Sequence, residues 1–169
     1  MSKLELVSLT GELAPPQTGA WHVKLTDPAR SVMTDFNEHG IVSVRLDDAI
    51  DAALEHMRHA GVRSAFVLDE PRTRVLGLIT AYDIMGEKPL RTAQEANLRR
   101  DEVLVRHLME STLDWSVLRF EEVERASVSD VLDAFKRSRR THLPVVEGAS
   151  GGLRLRGVLS SAKLLRLTR

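Results

Sequence analysis

Residues 77–84 read Gly77-Leu78-Ile79-Thr80-Ala81-Tyr82-Asp83-Ile84. An apolar run of the kind that forms a buried strand ends on a hydroxyl residue, and a carboxylate follows three positions later. At that spacing Thr80 can act as an N-cap and Asp83 as its N3 partner, each side chain satisfying the other's backbone N–H. The same arrangement can also serve a ligand. A helix N-terminus offers free N–H groups to phosphate, and a short carboxylate beside it can accept two hydrogen bonds from a sugar diol.

The elements that must position these residues occur twice. Residues 49–69, AIDAALEHMRHAGVRSAFVLD, align without a gap on residues 127–147, SVSDVLDAFKRSRRTHLPVVE, at an offset of 78. Gly77-Leu78-Ile79-Thr80 then matches Gly157-Val158-Leu159-Ser160, and Arg30-Ser31-Val32-Met33 resembles Arg106-His107-Leu108-Met109. The chain is a tandem duplication of units about 55–60 residues long. Units that small rarely bury their apolar faces alone, so the two should pack together.

In the first unit, Ile41 to Leu46 predicts a strand, and Asp47 or Asp48 a cap for a helix whose apolar positions 50, 53, 54 and 57 share one face. Gly61 fits the residue that ends that helix. Ser64 to Asp69 and Arg74 to Ile79 read as strands joined by a turn at 70–73, and Thr80 opens a short helix. The second unit repeats the order strand, helix, strand, strand, helix, with Ser127 as a cap and a Gly-rich hairpin turn at Ala149–Gly152. Residues 110–126, with Trp115, Val117 and Phe120, supply its first strand and a longer loop. Thr92-x-x-Glu95 marks a capping box in a linker helix, and Leu4 to Leu9 is a possible strand. Met33, Met57, Met85 and Met109 read as packing residues.

Composition excludes much. The 169 residues carry 24 basic and 24 acidic side chains, so no overall charge favours a polyanion. Only seven aromatic residues are present, too few for a row of base-stacking rings. There is no cysteine, hence no disulfide, thiolate metal site or Cys nucleophile. His56 and His59 stand three apart on a helix, but away from its apolar stripe and without a completing ligand set, so no metal is expected. No apolar stretch spans a bilayer and no secretory signal opens the chain, so a cytoplasmic protein is expected. The P-loop, dinucleotide and nucleophile-elbow patterns are absent, and no catalytic residue can be named.

The double repeat, the Val32-Met33 and Leu108-Met109 starts, the paired strands and the Gly-h-h-Thr-x-x-Asp ending together resemble a tandem pair of CBS (cystathionine-β-synthase-type) domains, a Bateman module, over about residues 28–169. The resemblance implies an α/β (α+β) fold of two pseudo-two-fold-related β-α-β-β-α repeats packed sheet to sheet. Its parts are an N-terminal extension (1–27), repeat 1 (28–85), a linker (86–105) and repeat 2 (106–169). It also implies two clefts for adenosine compounds such as AMP, ADP, ATP or S-adenosylmethionine, with no required cofactor, and a homodimer read by an unknown effector protein. The family's hydroxyl and Asp, which meet phosphate or ribose and the ribose diol, carry onto Thr80 and Asp83. The second copy keeps the hydroxyl as Ser160 but places Lys163 where Asp would stand. An ammonium only donates, so it cannot accept from a diol, and one competent ribose site is expected. Polar residues just before the Pro-Val of the second unit face the cleft in this family, which makes His142 a candidate phosphate contact.

The resemblance thus implies a non-catalytic regulatory module binding Thr80, Asp83, His142 and Ser160 to an adenine nucleotide. The alternative is a protein–protein interaction scaffold with vestigial clefts. Charge is uneven: residues 1–98 carry a net −4 and residues 99–169 a net +4. Lys136, Arg137, Arg139 and Arg140 form the densest basic cluster, with Arg154 and Arg156 nearby in sequence. A solvated helix end accounts for the cluster most simply; polyphosphate recognition or partner docking is the sharper reading, and nucleic acid the least expected partner.

Overall fold

A computed structural model describes residues 3–16, 21–148 and 151–168. Repeat 1 contributes β2 (Ser43–Arg45), α1 (Ile50–Ala60), β3 (Ser64–Leu68), β4 (Val75–Thr80) and α2 (Ala81–Met85). Repeat 2 contributes β6 (Leu118–Arg119), α6 (Val128–Ser138), β7 (His142–Glu147), β8 (Arg154–Ser160) and α7 (Ser161–Leu167). Each set builds three strands of a four-stranded sheet, and the two sheets pack face to face as the duplication requires.

The fourth strand of each sheet is exchanged. β1 (Met33–Asp35), from the start of repeat 1, pairs antiparallel with β8, and β5 (Glu110–Ser111), from the start of repeat 2, pairs antiparallel with β4. The cores follow the same exchange. Ala29, Val32 and Met33 are buried with Phe120, Val131, Phe135 and Leu159, whereas Val103, Val105 and Leu108 are buried with Ile50, Met57, Ile79 and Ile84. Between the sheets Phe66, Leu78 and Val158 form a seam flanked by Phe36 and Trp115. Phe66 meets both rings edge-on, at centroid distances of 5.5 Å to Phe36 and 6.0 Å to Trp115.

The repeated glycines are required by this exchange. A Cβ on Gly77 would lie 2.7 Å from the Glu110 carbonyl oxygen, and one on Gly157 would lie 2.4 Å from that of Thr34. Each glycine admits the backbone of the strand arriving from the other repeat. On the second sheet a partly buried ion network fastens that strand. Arg156 donates to Asp35 through Nε (2.8 Å) and Nη2 (3.0 Å) and to Glu147 through Nη1 (2.8 Å). Its guanidinium lies 3.8 Å from the Phe120 ring centre, where cation–π attraction adds to the ion pairs.

Several local expectations change. Neither Asp47 nor Asp48 caps α1; Asp48 accepts from the Arg45 N–H and Asp47 pairs with Arg106. The Ile50 N–H instead donates to the Val103 carbonyl of the incoming segment, so tertiary backbone replaces the side-chain cap. Gly61 does end α1, in the left-handed conformation. Thr92 lies inside the linker helix α3 (Lys88–Ala96), which starts earlier because Pro89 has the fixed φ suited to a first turn. Residues 4–9 form no strand; Leu4, Leu6, Val7 and Leu9 are exposed and pair with neither sheet. Met85 is exposed, unlike Met33 and Met57. The loop before α6 contains an additional helix, α5 (Phe120–Arg125). In the Ala149–Gly152 turn, residues 149 and 150 lie outside the described residues. No helix among the described residues is long and apolar enough to cross a membrane.

Two outcomes follow for stability. Gly157→Ala must push β1 away from β8 and should cost about 1–3 kcal/mol in urea unfolding, as overpacking does. Arg156 holds the Asp35 carboxyl well below the usual carboxylate range. Because the folded-state pKa is depressed, that stabilisation is complete above the unfolded value of about 4 and is lost as pH falls below it. The stability gap between wild type and Asp35→Asn should therefore be constant from pH 8 to 5 and narrow below pH 4; a gap independent of pH would refute this role for the carboxylate.

Candidate functional site

The C-terminal end of β4 and the N-terminal end of β7 meet across the repeats. Between them lies a cavity of about 230 Å³ lined by Thr80, Asp83, Glu110, Arg139, Thr141 and His142, among others. Three of the four residues singled out in the sequence, Thr80, Asp83 and His142, come together here. Ser160 does not line it: it caps α7 and accepts from the Lys163 N–H at 3.4 Å.

Thr80 and Asp83 form the complete capping box. Thr80 Oγ1 accepts from the Asp83 N–H (3.1 Å), while Asp83 Oδ2 accepts from the Thr80 N–H (2.9 Å) and hydroxyl (3.0 Å). That leaves Oδ1, which accepts from Lys88 Nζ at 3.3 Å. Lys88 also donates to the Leu108 carbonyl at 2.6 Å, tying the linker helix to the segment that leads into β5. Sequence reasoning missed Lys88. Helix α2, which the capping box opens, has only five residues, so its end contributes little dipole to a ligand.

The second copy solves the same problem differently. Lys163, at the place of Asp83, reaches the Met33 carbonyl (3.4 Å) and Thr34 Oγ1 (3.3 Å) on the incoming strand. Burial lowers its pKa, and neighbouring Arg166 adds to the effect. One ammonium thus serves a backbone carbonyl at each of the two related positions, but only the first copy keeps a carboxylate beside it.

From repeat 2, His142 is 6% exposed. Burial pushes its imidazole down from 6.5 to about 4, against a smaller opposing pull from Asp83. Its Nδ1 lies 3.0 Å from Thr141 Oγ1, which leaves Nε2 for the cavity. A neutral ring can hydrogen-bond to a phosphate there but brings no charge. Arg140 is committed: Nη1 pairs with Glu110 and Nη2 donates to the Asp114 carbonyl at 2.7 Å. Lys136 pairs with Asp133, and the neighbouring Arg154 pairs with Glu147 and Arg156 with Asp35 and Glu147. His56 and His59 are exposed on α1, and among the described residues no group of side chains could hold a metal ion.

A family model described as "CBS domain" matches residues 29–89 and 123–168. The fold is similar to an uncharacterized conserved protein from Pyrococcus horikoshii, at TM-score 0.60 and 18% identity, covering 87% of this chain and 96% of that one. A CBS-domain-containing protein from Agrobacterium tumefaciens gives TM-score 0.59 and 16% identity over 89% of this chain and all of the other (100%). CBSX2, known from Arabidopsis thaliana and solved in complex with AMP, gives 0.54 and 19% over 83% and 94%. Among curated proteins, none matches the chain.

The His142 environment predicts its titration. Its ring should remain neutral from pH 8 to 5, so its carbon-bound protons stay unshifted in NMR spectra over that range. The unfolded chain binds this proton at about 6.5 and the folded one at about 4, so His142 lowers folding stability progressively as pH falls through that interval. A normal titration near 6.5 would mean that the ring is hydrated rather than buried.

Proposed function

We propose, for a chain that belongs to the CBS-domain family, a non-catalytic regulatory role in which an adenosine-containing nucleotide of the AMP, ADP or ATP class binds between the two repeats. One observation carries the reading: a single cavity brings Thr80 and Asp83 of one repeat against Thr141 and His142 of the other. Asp83 Oδ1 is the acceptor for the ribose diol, in competition or partnership with Lys88, and His142 Nε2 with the Thr141 hydroxyl supplies neutral hydrogen bonds to phosphate. The AMP complex of the similarly folded CBSX2 supports the choice of ligand class. A ligand held by both repeats favours whichever arrangement of them binds it better, and a homodimer would pass that population shift to an effector. The repeat-2 cleft, with Lys163 in place of a carboxylate, is proposed not to hold ribose, and Ser160 is retained there only as a candidate contact.

A scaffold role is the second reading. It is favoured by the completeness of the Thr80–Asp83 cap and the Lys88 ion pair, which satisfy the Thr80 and Asp83 side chains without any ligand.

Calorimetry with AMP, ADP, ATP and S-adenosylmethionine separates the two. Nucleotide binding at one site per chain, weakened about 10–100-fold in Asp83→Ala, is expected for loss of charge-assisted hydrogen bonds. No heat and no melting shift with any of the four, in a protein that still dimerises, would establish the scaffold instead.

A further inference from the structure

Resting on the nucleotide reading above, we infer that the cavity selects a nucleoside monophosphate over the di- and triphosphate, with Arg139 as the residue that meets the phosphate. Two arginines line the cavity, together with Asp83 and Glu110. Arg140 is committed to Glu110 and to the Asp114 carbonyl, and the nearby Lys88 to Asp83 and the Leu108 carbonyl. Among the described residues Arg139 is the one lining cation with no ion-pair partner. One free positive charge suits a phosphate monoester of about −2. Each further phosphoryl group would find no additional free cation, since Arg140 already pairs with Glu110.

The backbone at Arg139 points the same way. It ends α6 at φ 56°, in the left-handed region, where the related position of repeat 1 carries Gly61 at φ 69°. For a non-glycine residue that conformation is strained, and such strain persists where the side chain has work to do. Glycine would be the better helix terminator, so the arginine is kept against local preference.

Arg139→Gly therefore separates binding from folding. Adenosine, AMP, ADP and ATP are titrated calorimetrically into wild type and this variant, without divalent cations. Wild type should bind AMP at least tenfold more tightly than ATP, and more tightly than adenosine. Arg139→Gly should bring AMP down to the level of adenosine, leave adenosine unchanged and raise the denaturation midpoint. ATP binding as tight as AMP, or an AMP-to-adenosine ratio unaffected by Arg139→Gly, would overturn the inference while leaving the nucleotide site standing. Absence of binding by all four would overturn both.

Discussion

Each half of this molecule is completed by a segment that belongs, in sequence, to the other half. β1 closes the second sheet and β5 the first, and the residues leading into them fill the opposite cores. The exchange depends on close backbone approach, which the two glycines at 77 and 157 make possible by omitting a Cβ. Neither repeat could therefore keep its core dry if separated, and the Phe66-centred seam sets how the sheets face each other. Edge-on aromatic pairs of this kind contribute about 0.5–1.5 kcal/mol beyond the area they bury, so the seam also orients what it joins.

That constraint creates the cavity. β5 carries Glu110 onto the edge of the first sheet, where Arg140 from the far repeat pairs with it. The contact joins the two sheets at the cavity wall and removes one cation from the cavity's supply. Lys88 does the same on the other side, joining the linker helix to Asp83 and to the chain entering β5. The candidate site is thus assembled from side chains whose charges are already largely cancelled by structural partners. Under the proposed function, whatever charge remains uncommitted would decide which anions enter.

Much of this was legible in the sequence, because the relevant signals are local. The offset of 78, the glycine ending α1, the Thr80–Asp83 cap and the Ser127 cap all depend on a few neighbouring residues, and the structure contains each. His142, singled out through the family resemblance, lines the same cavity as Thr80 and Asp83. The strand exchange was not legible: two- and three-residue strands carry too little pattern to identify their partner sheet. The cap of α1 was misread because the Val103 carbonyl, a backbone group remote in sequence, does what Asp47 or Asp48 could have done. Arg156 looked like part of a basic surface because Asp35, its main partner, lies 121 positions away. Lys88 gave no signal, since a lysine in the first turn of a linker helix usually faces water.

The duplication separates what the fold needs from what a ligand would need. Gly77 and Gly157, Ile79 and Leu159, and Thr80 and Ser160 keep their type because both copies must admit a crossing strand, fill a core and start a helix. Asp83 and Lys163 differ in charge, yet both helices form, so helix initiation does not require a carboxylate at that position. In the second copy the lysine turns to the crossing strand itself; in the first, that duty passes to Lys88, leaving a carboxylate at the cavity. Gly61 and Arg139 diverge in the same sense: the first copy uses the residue that best suits the backbone, and the second accepts strain to hold a guanidinium. Asp83 and Arg139 come from different repeats and line one cavity. Two departures from the shared framework, converging on one place, are what a module with a single asymmetric binding site would show.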